Sequence, residues 1–423
     1  MKTLLSIICM ITVLMTSAQS TWYQVSTNTT KKLNTIDFPT PQVGYIGGND
    51  SLLLKTTDGG TTWNEVSFTG INFFAGGEHF LRLDFVTADI GFATVGPYSG
   101  AYKTTDGGLT WTQLTTTGSL CYNHGLYFLD DGYGFVGGSG CFQGENMDKF
   151  VGGVSSPVTI NTPSWDAMDM IVDIDFDMNQ FGSYGLAVSS GGRILRTTDS
   201  GDTWDTIPSG LGNGIPLTSV TIVNDTLAYA GYDDLGGGFG LLMTTDAGLT
   251  WAMDMNSATF YYPAFHDVHT AGNGIIYAGA QPSSVENGLI FESNSGGVWY
   301  AHAADQIIYN MTSYSDSIVW GVGDSGYVVT NVPPASLGIS DDYFEINSMD
   351  VYPNPTNTTL NIVLPVGVSE SGIQLIIRDL SGRIIMETFG EKQLDVSGLV
   401  PGIYLAELQS NGKTYSNKFM VSQ

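Results

Sequence analysis

The chain has 423 residues, with 54 glycines, 12% aromatic residues and only 13% charged ones, a profile of many short strands and tight turns that argues against a helical bundle or a disordered chain. Lys and Arg number 14 against 41 Asp and Glu, for a net charge of −27, which argues against nucleic acid or an anionic membrane as partner. Acidity of this size keeps an exported protein soluble and draws cations or basic partners.

Residues 1–18 read as a secretory signal peptide. Lys2 supplies the positive start, residues 4–13 the apolar core, and Thr16-Ser-Ala18 a small-residue cleavage site. No later stretch is long and apolar enough for a transmembrane segment. The strand-like run Thr21-Trp22-Tyr-Gln-Val25 follows without the strands that would normally precede it.

A nine-residue box then recurs. It reads Lys55-Thr-Thr-Asp58-Gly-Gly-Thr-Thr-Trp63, Lys103-Thr-Thr-Asp106-Gly-Gly-Leu-Thr-Trp111, Arg196-Thr-Thr-Asp199-Ser-Gly-Asp-Thr-Trp204 and Met243-Thr-Thr-Asp246-Ala-Gly-Leu-Thr-Trp251. A weaker copy carries Asn294 and Trp299. Successive tryptophans stand 48, 93, 47 and 48 residues apart, and a fixed period in this range marks an array of one small unit. Each unit reads as four short strands. The second strand, glycine or a small residue beside an aromatic or Leu, recurs around Tyr45, Phe92, Phe135, Leu186, Tyr229, Tyr277 and Trp320, giving seven units. The third has lost its box, with Val158 where Trp is expected. The seventh lacks a fourth strand, which the Trp22 segment supplies. The sequence therefore predicts an all-β chain: a seven-bladed β-propeller over residues 19–332, closed by its N-terminal strand.

These boxes resemble the Asp-box (BNR-like) repeats of sialidase-like and photosystem-assembly-factor-like propellers. The resemblance implies a structural role: Asp58, Asp106, Asp199 and Asp246 accept turn N–H groups, glycine permits the turn, and Trp63, Trp111, Trp204, Trp251 and Trp299 pack on the blade.

Innermost strands line the channel of a propeller, and Asp37, Asp84, Asp175 and Asp267 hold roughly equivalent places there. Tyr127 and Thr221 fill that place in units three and five. The carboxylates either satisfy backbone donors between neighbouring blades or make an acidic cation or ligand site. Asp173, Asp175, Asp177 and Asn179 add alternating polar positions, and Asp175, Asp177 and Asn179 are the candidate calcium turn, although the EF-hand pattern fails at Gln180. His266 and His269 are a weak metal pair on a strand. No other cofactor is indicated. Cys121 and Cys141 flank a hairpin centred on residue 131 and would face each other across it, giving either a disulfide or two separate thiols.

Residues 333–349 read as a linker, and residues 350–423 as a separate small β-sandwich. Its motifs are Tyr352-Pro353-Asn354-Pro355, Asp379-Leu-Ser-Gly382-Arg383, Pro401-Gly402-Ile-Tyr404 and Lys418-Phe-Met-Val421. In this order they resemble the C-terminal sorting domain of proteins exported by the type IX secretion system. The resemblance implies handling by that machinery, and release or attachment at the outer-membrane surface.

Sialidases clamp a carboxylate with three arginines, whereas the predicted propeller holds only Arg82, Arg193 and Arg196, the last at a repeat position. No acid/base pair, Ser/His/Asp set or phosphate loop stands out from the repeat background. The expectation is a secreted or cell-surface, non-catalytic binding or adhesion protein with an extracellular glycan or protein ligand. The alternative is a secreted polysaccharide-degrading glycosidase or lyase on the same scaffold.

Overall fold

A computed structural model describes residues 21–421 except 75, 97–98, 117–119, 141–145, 162–168, 178–182, 212–213, 235–237, 257–262, 283–286, 295–297, 315–317, 334–348, 353–355, 365–372, 380–382, 401 and 411–412. The segment read as a signal peptide lies outside the described residues, as does almost all of the linker.

Among the described residues, positions 23–330 form seven sheets built on four antiparallel strands each. Their first strands are Leu33–Asp37, Phe80–Phe85, Leu120–Phe128, Ile171–Phe176, Leu217–Ile222, Pro263–Thr270 and Ile308–Tyr314. Each first strand contacts the next, and the seventh contacts the first, so these strands form the inside of a closed ring. The seventh sheet takes its outer strand from the start of the chain. Tyr23–Val25 pairs antiparallel with Val328–Thr330, Tyr23 opposite Thr330 and Val25 opposite Val328. The Thr27 hydroxyl donates to the Gly326 carbonyl at 2.8 Å, extending this seam.

Second strands such as Gly44–Gly48, Gly91–Val95 and Gly185–Ser189 are buried throughout. Their small and apolar residues on both faces let them sit between neighbouring sheets. In four sheets the second-strand aromatic stacks on the inner strand of the next sheet. Tyr45 stacks on Phe85 at 3.6 Å, Phe92 on Phe128 at 3.5 Å, Phe135 on Phe176 at 5.0 Å and Trp320 on Phe38 at 5.1 Å. Burying one such ring is worth roughly 1.5–3 kcal/mol, so these pairs couple sheet to sheet. Glycine beside them is obligatory: a Cβ on Gly91 would lie 2.3 Å from the Phe85 ring.

The third unit departs from the pattern. Its outer strand Val154–Pro157 follows two left-handed glycines, Gly152 and Gly153. The chain then lays Thr159–Asn161 parallel to Thr203–Ile207, adding a fifth strand to the outer edge of the next sheet.

Residues 350–421 form a three-stranded sheet, Asp350–Tyr352, Thr359–Val363 and Gln393–Asp395, and a four-stranded one ordered Ile384–Phe389, Gln374–Asp379, Gly402–Ser410, Lys413–Val421. Leu360, Ile362 and Leu394 of the first share one buried cluster with Leu375, Ile377, Leu408 and Phe419 of the second. No helix among the described residues is long and apolar enough to cross a membrane.

Candidate functional site

The four full boxes are closed hydrogen-bonded turns. The Thr two residues before each Asp (Thr56, Thr104, Thr197, Thr244) is buried; its hydroxyl donates to the carboxylate at 2.7–2.8 Å and accepts the glycine N–H two residues after the Asp at 2.9–3.0 Å. The carboxylate then takes the N–H and hydroxyl of the Thr four residues on, Thr62, Thr110, Thr203 or Thr250. These bonds hold Asp106 and Asp246 down at about 2. Trp111 and Trp251 donate Nε1–H to the Gly108 and Gly248 carbonyls. In the weak copy Asn294 is exposed and Trp299 donates instead to Asp254 at 2.7 Å. Asp and Trp are thus absorbed in bracing the turn.

The basic residue that opens the box, read from the sequence as a repeat position at Arg196, links neighbouring sheets. Lys103 Nζ reaches the Asp131 carbonyl and Arg196 Nε the Ala247 carbonyl, each in the next sheet. Lys149 stands 46 residues after Lys103 and 47 before Arg196, and it does the same with the Ser200 carbonyl and Asp202. The period was the signal for it, hidden by the missing Asp and Trp.

Inside the ring, two tiers of side chains tie neighbouring inner strands. In one tier Asp37 accepts the Phe85 N–H at 2.6 Å, Asp84 that of Phe128 at 2.5 Å and Asp175 that of Ile222 at 2.7 Å, and Thr221 accepts Thr270 N–H at 3.2 Å. In the other, Thr35 accepts from Leu83, Asp173 from Val220, Ser219 from Val268, Asp267 from Met311, and Asn310 from Ile36, the last joining the seventh strand back to the first. Asp267 therefore does not share a tier with Asp37, Asp84 and Asp175. The register places His269 opposite Tyr277, as Asp37 lies opposite Tyr45, and puts Asp267 two residues upstream. The spacing of eight residues to the second-strand aromatic is therefore kept by His269, not by Asp267.

Enclosure raises these acids. Burial lifts Asp37 to about 6, and Asp175 and Asp267 to about 7; it also raises Asp173, while burial and then the Asp37 charge push Asp84 well up. Asp173, Asp175, Asp177, Asp267, His269 and Asn310 line a cavity of about 350 Å³. Among the described residues no group of three His, Cys, Asp or Glu is arranged to hold a metal. Asn179, the third member of the calcium candidate, lies outside the described residues.

A second feature was invisible in the sequence. Every inner strand carries a register shift near one level, between Leu33 and Thr35, Phe80 and Arg82, Asn123 and Leu126, Ile171 and Asp173, Leu217 and Ser219, Phe265 and Asp267, and Ile308 and Asn310, and the third strand has a second one between Leu120 and Tyr122. A bulge re-aims its extra side chain. Here the re-aimed residues are Asn34, Leu81, His124, Val172, Thr218, His266 and Tyr309, one per sheet, and all seven line a single cavity of about 550 Å³. Lys32, His79 and Arg82 share it. This mouth gathers three of the five histidines of the chain. Lys32 Nζ lies 3.4 Å over the Tyr309 ring, which packs 4.9 Å from His266. Burial, reinforced by Arg82, lowers His124 to about 4, and burial lowers His79 and His266 below the ordinary imidazole value. His266 and His269 line different cavities and do not form a metal pair.

The Cys hairpin keeps the register expected of a turn centred on residue 131 at Leu126↔Val136 and Phe128↔Gly134, then slips to Tyr122↔Ser139. Cys141 and the Cys121 side chain lie outside the described residues, and so does their pairing. In the C-terminal module the Tyr404 hydroxyl donates to the Val400 carbonyl, Arg383 pairs with Asp379, and Gly402 and Lys418 face Val421 and Leu405 across one hairpin. Tyr352 is exposed; Pro353, Asn354, Pro355 and Gly382 lie outside the described residues.

Residues 350–422 match the family model of the secretion system C-terminal sorting domain, which indicates export by the type IX system. Residues 14–120 match that of the photosynthesis system II assembly factor YCF48. Among solved structures the chain is similar to YCF48 from Cyanidioschyzon merolae, at 18% identity over 73% of this chain and 98% of that one, with a TM-score of 0.54. A YCF48 bound to D1 peptide aligns at 16% identity over 74% and 97%, TM-score 0.53. An ancestral GH74 enzyme aligns at 12% identity over 95% of this chain and 64% of its own length, TM-score 0.54. At these identities the likeness shows the fold, which is propeller-like. No protein of curated function matches the chain.

Proposed function

We propose that this chain is an exported, non-catalytic binding protein. On this reading residues 1–18 are a cleaved signal, residues 19–332 a seven-bladed propeller closed by its first strand, and residues 350–423 a small β-sandwich that addresses the protein to the type IX machinery. The propeller then holds its ligand at the mouth of the channel, on the side of the bulges. One observation carries this: the same backbone bulge, repeated in all seven inner strands, turns seven mostly unlike side chains into one cavity of about 550 Å³. A repeated bulge that carried only structure would not need that variety.

The acidic tiers support a binding rather than a hydrolytic reading. Glycoside hydrolysis asks for two carboxyl groups free to act on opposite sides of one bond. Asp37, Asp84, Asp173, Asp175 and Asp267 each accept a backbone N–H of the neighbouring inner strand. That accounts for their presence without chemistry.

The test is a melting-temperature and calorimetric screen of the full chain against oligosaccharides and peptides, beside a Leu81→Trp variant that fills the mouth. A ligand that binds the folded state raises the melting temperature by mass action. Expected is a ligand whose effect Leu81→Trp removes, with no product on chromatography. Turnover of the ligand would establish the glycosidase or lyase reading instead. Ligands bound equally well by Leu81→Trp would move the site elsewhere.

A further inference from the structure

We infer that the channel mouth recognises an oxyanion, a carboxylate, sulfate or phosphate group of its ligand, and that Arg82 is the residue that grips it. This deepens the binding reading above and rests on it.

Arg82 occupies the tier in which Thr35, Asp173, Ser219, Asp267 and Asn310 accept a backbone N–H from the next inner strand. A guanidinium has five donors and no acceptor, so it cannot serve there. The bond between the second and third inner strands is made without it, by Asp84 to Phe128 N–H. Arg82 is therefore spare for the ring.

Among the described residues its side chain makes no hydrogen bond or close ion pair. The acids within reach of its field, Asp173 and Asp267, already accept the N–H groups of Val220 and Met311. A partly enclosed guanidinium with open donors is costly unless water or an anion meets it.

The neighbours present further donors. Lys32 stands at the same cavity, over the Tyr309 ring. The Thr218 hydroxyl is buried without a hydrogen-bond partner. Of the imidazoles on the wall, His124 and His266 direct their N–H to the Val172 carbonyl and Gln281 Oε1, which leaves His79 as the histidine open to a ligand. The acid held near this group, Asp324, accepts the Tyr309 hydroxyl at 3.0 Å. In a chain carrying −27 overall, long-range attraction cannot bring an anion here. Recognition would come from the short-range fork geometry that Arg offers carboxylate, sulfate and phosphate.

The experiment titrates the full chain calorimetrically with glucuronate, sodium sulfate and inorganic phosphate, with glucose as the neutral match to glucuronate. The wild type is compared with Arg82→Gln, Leu81→Trp and the distant control Arg383→Gln, each first shown by its melting curve to be folded. Expected is binding of at least one anion, weakened about tenfold or more by Arg82→Gln, abolished by Leu81→Trp and untouched by Arg383→Gln. Glucose should not bind comparably. Which anion binds best identifies its source as acidic sugar, sulfate ester or phosphate. Anion binding unaffected by Arg82→Gln, or none at all, overturns the oxyanion inference. If a neutral ligand from the screen above is still blocked by Leu81→Trp, the binding reading survives that failure. Should Arg82→Gln not fold, Arg82→Lys, which keeps the charge but loses the fork, must still weaken binding.

Discussion

The box turns and the bulged inner strands repeat with one period and use it in opposite ways. At the turns, backbone and side chains repeat together: Thr N–H to Asp Oδ1 runs from 2.8 to 2.9 Å in all four copies. At the bulges only the backbone repeats, and Asn34, Leu81, His124, Val172, Thr218, His266 and Tyr309 are set on it. A constant side chain on a constant backbone is scaffold, and a varied one is a surface able to specify. The tiers between them are intermediate: acceptors nearly throughout, supplied by Asp, Asn, Ser or Thr.

The ring itself is the broadest common factor, and breaking it should give the largest effect. Deleting residues 21–27 removes the ladder to Val328–Thr330, the buried Val25, and Trp22 against Tyr277. Two apolar side chains and a few ladder bonds sum to roughly 5 kcal/mol. Urea unfolding should show that loss. An unchanged midpoint would mean the ends of the ring hold without their seam.

At the scaffold side of the comparison, Asp199→Ala leaves the N–H of Thr203 and the hydroxyls of Thr197 and Thr203 without their acceptor. Exposed turn groups recover water, so the expected cost is about 1–3 kcal/mol, with ligand binding at the mouth intact. Loss of binding without loss of stability would show that the box does more than brace.

These two regions were unequally legible in the sequence. The box was plain because its chemistry is local: Thr, Asp, Gly and Trp act within nine residues, so the motif survives as a string. The inner strands were half legible. Counting eight residues from Asp37 to Tyr45 and from Asp84 to Phe92 found one tier; the same count back from Tyr277 gives His269, but the resemblance of Asp267-Val268 to the Asp-Phe pairs drew the assignment two residues upstream, into the other tier. The mouth was not legible at all. Asn34, Leu81 and Val172 share no chemistry, and what makes them neighbours is a backbone irregularity meeting its six copies across long sequence separations. Arg82 was weighed only as a missing sialidase clamp.

The acidic tiers sharpen the contrast through pH. Burial raises Asp37 to about 6, and Asp175 and Asp267 to about 7. For an acid whose folded value is raised, the folded state holds the proton more tightly. Its stabilising contribution is full below the unfolded value near 4 and is lost as pH rises through 6 to 7. Asp106 and Asp246, held at about 2, run the other way and lose their contribution only as pH falls toward 2. Melting temperature should therefore be higher at pH 5 than at pH 8. Asp175→Asn keeps an acceptor for the Ile222 N–H and should flatten the slope. A slope of opposite sign would mean that the carboxylates are ionised and paired in the channel, which would restore the cation reading.

The smallest effect lies inside the box, where its four copies are not quite alike. The residue after the Asp is left-handed in every copy: Gly59 at φ 66°, Gly107 at 70°, Ser200 at 58° and Ala247 at 57°. Glycine adopts that conformation freely, whereas a Cβ makes it costly by roughly 1–2 kcal/mol. Ala247 also has both backbone groups engaged, its N–H with the Thr226 carbonyl and its carbonyl with Arg196 Nε, so the turn cannot relax to another conformation without losing the link to the preceding sheet. Ala247→Gly keeps both bonds and removes the strain, against some added freedom in the unfolded chain. A net gain of about 0.5 kcal/mol is expected, read as a raised urea midpoint at constant slope, with anion binding unchanged. A loss instead would show that Ala247 packs against the Trp251 region strongly enough to repay its strain. The box would then have drifted for stability in that unit, and constancy of sequence would be a weaker mark of scaffold than the comparison with the mouth assumes.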